Sequence, residues 1–368
     1  MRVLFINSVC GTGSTGKITA ELAEEYEREG HEVRIAYGRS SYVPEKYRRI
    51  AIRIGSSFDV YLHAIMTRLT DRHGFYSSHA TKRFLKWADE YNPDILWLHN
   101  IHGYYINIDL LFNWIKSRRN MKVFWTLHDC WSFTGHCGYF TMAGCSKWQV
   151  HCERCPQRNS YPSSIWDNSY RNFDDKRRLF SGIQDMTIIT PSKWLASLVK
   201  QSYLKEYPVE VRYNTIDRNI FRPTFGNFRE RFNLADKKII LGVASIWEKR
   251  KGLDDFVRLS EILDADKYAI VLVGVKPEQK KALPKNIIAI QRTNNQKELA
   301  EIYTSADIFF NPSYEDNYPT VNLEAEACGT PVITYDAGGC PETIHNDSSR
   351  VVPCGDIESV KMIIESMK

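Results

Sequence analysis

Three consecutive cations, Lys249, Arg250 and Lys251, stand directly before Gly252, between the apolar run KIILGVA and a segment of helical character. A strand-to-helix turn of this kind suits a pyrophosphate. Ammonium and guanidinium groups make charge-assisted contacts where the helix dipole also favours an anion. Taken alone, a solvated basic turn explains the same residues. Further along, Asp316 and Glu324 stand eight positions apart, with Asn317, Tyr318, Pro319 and Thr320 between them. Proline is tolerated in the first turn of a helix, so a helix is expected to begin near Pro319 or Thr320. Its free N–H groups would face a ligand oxygen. Glu324 would lie a turn further in, where a carboxylate can accept hydrogen bonds from hydroxyls. The segment DAGGCPETI (336–344) adds a strand end, a double glycine and a helix start.

The amino-terminal end offers a second candidate. GTGSTG (11–16) follows the apolar run RVLFINS and precedes KITAELAEEYEREG. Gly11, Gly13 and Gly16 fit G-x-G-x-x-G, in which glycine lets the backbone turn tightly and approach an anion. A dinucleotide site also wants an acid about 20 residues on. That place is Tyr37-Gly38-Arg39-Ser40, which has none. Arg39 would suit a 2′-phosphate instead, which keeps an NADP-linked oxidoreductase open. A phosphate loop of the G-K-[ST] type is weak here, because Ile18 follows Gly16-Lys17 where a hydroxyl should hold Mg²⁺. A turn that merely connects strand and helix is the plainer alternative, of similar weight to a substrate-facing one.

Histidines and cysteines mark the region after TLH. His128 ends the run KVFWTLH, and His99 and His102 close DILWLHN and its loop. Each has a plain alternative as an ordinary strand-end or surface histidine. Cys137, Cys145, Cys152 and Cys155 fall within 19 residues and end in C-x-x-C. Four thiolates can hold a tetrahedral structural Zn²⁺ and order a segment with little core of its own. His136 or His151 could replace one sulfur, and free thiols or disulfides are the other readings. Four protein ligands would leave no open position for catalysis. Cys10, Cys130, Cys328, Cys340 and Cys354 are expected as small buried residues.

These residues must be positioned by a scaffold, and the chain of 368 residues is long enough for two domains. Hydrophobic residues make up 43% and charged residues 25%, ordinary for a globular protein and unlike a disordered chain, collagen or coiled coil. Short apolar runs alternate with helix-length segments: RVLFINS, HEVRIAYG, DILWLHN, KVFWTLH and MTIITPS, then KIILGVAS, YAIVLVG, NIIAIQ, DIFFNPS and PVITYD. Strand–helix alternation implies parallel sheets with helices on both faces. The stretch 205–225, rich in proline and asparagine, reads as a linker. Two unequal α/β domains are therefore expected, 1–212 with a Cys-rich insertion at about 135–158, and 213–368.

No apolar run approaches the roughly 18 residues needed to span a bilayer. The start turns polar after four apolar residues, so no export signal is expected, and the cysteines read as reduced thiols or metal ligands. The net charge of +5 is too mild to demand nucleic acid. Residues 39–86 carry ten Lys/Arg against three Asp/Glu, interleaved with aromatic and aliphatic residues. Such a face can be merely solvated, or can touch an anionic membrane surface.

Together, and in this order, several segments resemble the retaining glycosyltransferases of the GT-B fold, specifically the family-four group that uses nucleotide sugars and its bacterial exopolysaccharide and capsule members. The segments are the glycine loop, TLHDCWSFTGHC (126–137), TPSKWLA (190–196), YNTIDRNIFRP (213–223) and the carboxylate segment 311–336. The resemblance implies two Rossmann-like domains facing each other across a cleft, and transfer of a hexose-type sugar. The donor, a UDP or GDP sugar, would bind mostly to the second domain. A saccharide acceptor, lipid-diphosphate-linked in such enzymes, would bind mostly to the first.

Residue by residue, the resemblance gives His128, Lys251 and Asp316 catalytic roles. It gives donor contacts to Lys249, Arg250, Asn317, Tyr318, Pro319, Thr320 and Glu324, the last on the ribose. Gly13, Ser14, Thr15, Gly16 and His102 would line the acceptor side. Two departures stand out. The family's first acid is Glu where this chain has Asp316, and its arginine six positions before the lysine is here Ser245. Arg250 or Lys249 is the candidate to supply that charge. Retention in the family is explained by front-face attack with the leaving phosphate assisting, without a catalytic metal. The expected location is cytoplasmic, with a peripheral place at the inner face of the cytoplasmic membrane as the alternative. A non-catalytic nucleotide-sugar-binding protein is the further alternative.

Overall fold

The computed structural model describes residues 1–39 and 42–367. Ser40, the last residue of the tetrapeptide searched for an acid, lies outside that range with Ser41 and Lys368. The chain divides into two compact units, Met1–Tyr213 and Asn214–Lys368, one residue from the boundary expected.

The first unit is a seven-stranded parallel sheet. In chain order its strands are β1 (Arg2–Ile6), β2 (Glu32–Tyr37), β3 (Ala51–Arg53), β4 (Ile95–Leu98), β5 (Lys122–Thr126), β6 (Met186–Thr190) and β7 (Val209–Val211). Their spatial order is β3-β2-β1-β4-β5-β6-β7. Side chains alternate across a strand, and β1 shows the consequence. Leu4 and Ile6 pack into one core with Phe112, Trp125 and Phe180. Val3 and Phe5 pack into a second core with Trp97 and Phe124. Both faces of the sheet are thus covered, which is why these strands read as continuous apolar runs.

The second unit repeats the plan with six strands: β8 (Lys238–Val243), β9 (Tyr268–Val273), β10 (Ile287–Ile290), β11 (Ile308–Asn311), β12 (Val332–Tyr335) and β13 (Arg350–Val352). Their order is β10-β9-β8-β11-β12-β13, all parallel. Ile240 belongs to one core, and its neighbours Ile239 and Leu241 to the other.

Three strands depart from the sequence expectation. β3, β7 and β13 are three-residue strands at sheet edges, and β7 lies inside the stretch read as a linker. An edge strand pairs on one side only and is half exposed, so it needs no apolar run to announce it. The first helix also begins earlier than the apolar pattern suggests. It spans Gly13–Arg28, so Gly13 to Gly16 form its first turn. Among the cysteines expected to be buried, Cys354 is exposed.

Candidate functional site

In the second unit, β8 and β11 are neighbours, so the turns that follow them lie side by side. The turn after β8 carries Lys249–Lys251 as one turn of 3₁₀ helix, followed by Gly252 and the helix Leu253–Ile262. Gly252 has φ +69°, and a Cβ there would stand 2.3 Å from the Pro312 carbonyl oxygen. Only glycine lets the two turns approach this closely. Backbone bonds then fix them together: the Tyr314 N–H donates to the Arg250 carbonyl at 2.8 Å.

The cations reach the second turn. Lys251 Nζ donates to Asp316 Oδ2 at 2.5 Å. Arg250 Nη1 donates to the Glu315 carbonyl at 3.0 Å, and its Nε to Glu248 at 3.1 Å. Burial works against ionisation of Asp316, but Lys251 and Arg250 beside it hold its carboxyl below the ordinary range. The segment after β12 closes the other side. The Gly339 N–H donates to the Asp316 carbonyl at 3.1 Å. Gly338, at φ +58°, would put a Cβ 2.0 Å from that same oxygen. Lys251, Arg250, Asp316 and Asn317 therefore lie together in the structure. Lys249 and Ser245 are exposed.

The helix expected near Pro319 or Thr320 spans Thr320–Ala327, with Pro319 as its N-cap. Glu324 accepts from the Tyr303 hydroxyl at 3.0 Å. Tyr303 is fully buried, and its role was not legible in the sequence. Tyr318 lines a groove of about 690 Å³ with Arg218, Glu326 and His345.

In the first unit, candidate residues collect beyond the carboxyl ends of β1, β2, β4 and β5. This is where the strand order reverses around β1, the usual ligand position of an open parallel sheet. His128 Nε2 lies 3.1 Å from His99 Nδ1, with the rings stacked 5.4 Å apart. Burial lowers the His128 pKa to about 4, with Asp129 pulling the other way. The imidazole is thus neutral near pH 7, a hydrogen-bonding group and not a cation. His102 Nε2 lies 3.0 Å from Asp129 Oδ2. Burial opposes the charge on Asp129, yet His102 and the Trp131 N–H hold its carboxyl below the usual range. Asp129 was missed from the sequence, although it directly follows His128.

Gly13 and Ser14 are exposed at the start of the first helix, Thr15 is half-buried and Gly16 is buried. The Arg39 N–H donates to the Ser8 carbonyl at 2.9 Å, and its guanidinium lies 5.8 Å from the Tyr104 ring centroid.

Cys137, Cys145, Cys152 and Cys155 line one small cavity together with His136. None is in a disulfide. The expected zinc site is not assembled there: among the described residues no group of three or more His, Cys, Asp or Glu is placed to hold a metal ion. The sulfurs have other partners. The Cys137 thiol donates a hydrogen bond to Cys155, and the Gly135 N–H donates to Cys152 at 3.2 Å.

The profile of Glycosyltransferase Family 4 matches residues 15–219, more than half of the chain. That of Glycosyl transferases group 1 matches residues 225–368. The Escherichia coli K12 protein WcaC, named for colanic acid biosynthesis glycosyl transfer, is 25% identical over 270 residues, covering 71% of this chain and 64% of the relative. A Campylobacter jejuni N,N'-diacetylbacillosaminyl-diphospho-undecaprenol alpha-1,3-N-acetylgalactosaminyltransferase is 32% identical over 123 residues, 32% of each chain. The chain thus spans less than two thirds of the length of these curated relatives. Among solved structures, sucrose-phosphate synthase of Thermosynechococcus elongatus has a TM-score of 0.70 at 16% identity, covering 99% of this chain and 88% of that one. HepE of Anabaena in complex with UDP-glucose has a TM-score of 0.67 at 13% identity, covering 100% and 89%. These likenesses establish the fold, and the profile match establishes that the chain belongs to glycosyltransferase family 4.

Proposed function

We propose that this chain is a retaining glycosyltransferase that moves a hexose-type sugar from a nucleoside-diphosphate sugar to a saccharide acceptor in surface polysaccharide assembly. The observation that carries the reading is the cationic turn Lys249–Lys251 locked against the carboxylate segment, with Lys251 on the Asp316 carboxylate and Arg250 on the neighbouring Glu315 carbonyl. Transfer from such a donor builds negative charge on the departing diphosphate. Fixed cations stabilise that charge at little reorganisation cost. In this reading Lys251 and Arg250 meet the diphosphate, while Asp316 orients Lys251 and reaches a sugar hydroxyl. The N–H groups at the start of the Thr320–Ala327 helix receive a donor oxygen, and Glu324, held by Tyr303, accepts from the ribose. The first unit takes the acceptor at its strand ends, with His128, His102 and the first turn from Gly13 to Gly16.

The names of two comparison proteins guide the substrates. HepE was solved with UDP-glucose, so UDP is the first donor class to test, ahead of GDP. The Campylobacter relative is named for a diphospho-undecaprenol saccharide, so the acceptor proposed is lipid-diphosphate-linked. The test is a thermal-shift panel with UDP, GDP, ADP, CMP, NAD and NADP, repeated with Lys251→Ala. A ligand at 100 times its Kd stabilises by about 2.7 kcal/mol. A shift with one nucleoside diphosphate, abolished by Lys251→Ala, is expected. A shift with NADP alone would overturn the reading and favour an oxidoreductase using the glycine loop and Arg39. Donor binding without transfer or slow donor hydrolysis would leave a binding protein.

Structural zinc at the four cysteines is a separate proposal. Their common cavity supports it and their present spacing opposes it. One zinc per purified chain by metal analysis would carry it; none would end it.

A further inference from the structure

The helix Ser57–Thr70 packs Val60 on the core but leaves most of its large apolar side chains outside it. On a helix packed against a domain, the apolar stripe normally faces the core. Here the buried positions are His63 and Thr67, both polar. Phe58, Tyr61, Leu62, Ile65 and Leu69 point to solvent, with Phe58 71% exposed. Their spacing of three and four places them along one face. The inner contacts fix this rotation. His63 Nδ1 lies 2.9 Å from Ser77 Oγ, and His63 Nε2 accepts from the Gly74 N–H at 3.1 Å. Asp71, the C-cap, pairs with His136 and accepts from the Asn168 N–H at 2.8 Å. Rolling the apolar stripe inward would break all of these bonds in a buried setting.

The apolar face continues beyond the helix. The Ile165 N–H donates to the Arg68 carbonyl at 2.7 Å, which sets the loop bearing Ile165 and Trp166 beside the helix end. Trp166 is 68% exposed. Contiguous exposed apolar surface of this extent marks an interaction site on a soluble domain.

The charges around it decide the occupant. Arg53, donating to Ser57 Oγ at 2.7 Å, stands at the start of the stripe, and Arg68 near its end. The neighbouring helix Ser78–Tyr91 brings His79 and Arg83 close to Asp59, the one acid within Ser57–Thr70. Lys82 and Lys86 on that helix are exposed as well. Aliphatic and aromatic side chains between arginines, with Trp166 beside the helix end, match the chemistry of an interface-lying helix on anionic lipid.

We infer that the Ser57–Thr70 helix and the Ile165–Trp166 loop form a monotopic docking face for an anionic bilayer surface. The helix lies in the headgroup plane with Phe58, Ile65 and Leu69 entering the acyl boundary. The inference stands on the first unit alone and does not need the donor reading.

The experiment is co-sedimentation of the full chain with vesicles of phosphatidylcholine alone, and of phosphatidylcholine with phosphatidylglycerol. Three proteins are compared: wild type, F58S/I65S/L69S and R53S/R68S. All five positions are on the surface, so folding should survive. Wild type is expected to bind the anionic vesicles. The apolar variant should lose about tenfold or more in partitioning, because each buried methylene contributes to it. The arginine variant should lose the preference for anionic over neutral vesicles. Equal binding by wild type and the apolar variant overturns the inference, as does a wild type that binds neither vesicle. A wild type that self-associates in sedimentation while the apolar variant stays monomeric overturns it in favour of a second copy of the chain. A nucleotide thermal shift on the same variants reads the donor site independently, so failure of one reading does not disguise failure of the other.

Discussion

Lys251 Nζ and Asp316 Oδ2 lie 2.5 Å apart although 65 residues separate them in the chain. Both side chains are largely buried, at 20% and 13% exposure. Removing one partner strands the other's charge in a desolvated setting, which costs about 3–5 kcal/mol for a buried pair. Lys251→Met should therefore lower stability by about 3 kcal/mol on that scale. Lys251→Met with Asp316→Asn should recover more than half of the loss. Chemical denaturation of the two single variants and the double variant measures the coupling. Additive losses would show that the pair is not coupled.

Gly252 is the hinge of the same turn. At φ +69°, with a would-be Cβ 2.3 Å from the Pro312 carbonyl, alanine has neither the conformation nor the room. Gly252→Ala should cost about 2 kcal/mol or more, in the range of strained backbone substitutions. It should also weaken nucleoside-diphosphate binding, since it separates Lys251 from Asp316. Denaturation and the nucleotide thermal shift test both halves. A variant with normal stability and a normal shift would mean that the turn tolerates displacement.

Acid should destabilise the first unit before any carboxylate protonates. Burial lowers His128 to about 4 and His63 to about 3. An unfolded histidine takes its proton near pH 6.5. Between those values the unfolded chain binds more protons than the folded one. The contribution of these two histidines is therefore complete above about 6.5 and is lost as pH falls toward 4. Melting temperature measured from pH 8 to 4.5 should hold level and then fall below about 6.5. His63→Asn should shallow the fall; an unchanged slope would assign it to other groups.

His102 and Asp129 offer a test of the acceptor side. Asp129→Asn keeps the shape but removes the charge that faces His102 Nε2. If that pair orients the acceptor, turnover should fall by up to about a hundredfold, as for a misplaced reacting group. The nucleotide thermal shift should be untouched. Loss of the shift together with turnover would point to general unfolding instead, and unchanged turnover would remove the pair from the reaction.

Much of this protein is local and was legible in its sequence. The alternating runs on β1 and β8, the basic turn before Gly252 and the helix start at Thr320 follow from apolar period, turn chemistry and proline's place in a first turn. Tertiary structure alone decided the pairings. Lys251 meets Asp316 because β8 and β11 are adjacent, and no local signal states strand order. Tyr303 reaches Glu324 because their two helices pack together, and His102 reaches Asp129 because β4 and β5 are adjacent. Edge strands β3, β7 and β13 escaped because half-exposed pairs need no apolar run. The four cysteines were legible as a group, but only packing set their spacing around the cavity they share. The direction faced by Phe58, Ile65 and Leu69 was also hidden, because sequence period marks a face without saying which way it turns. Hydrogen bonds from His63 and Asp71 to distant residues settle that, and such bonds exist only once the chain has folded.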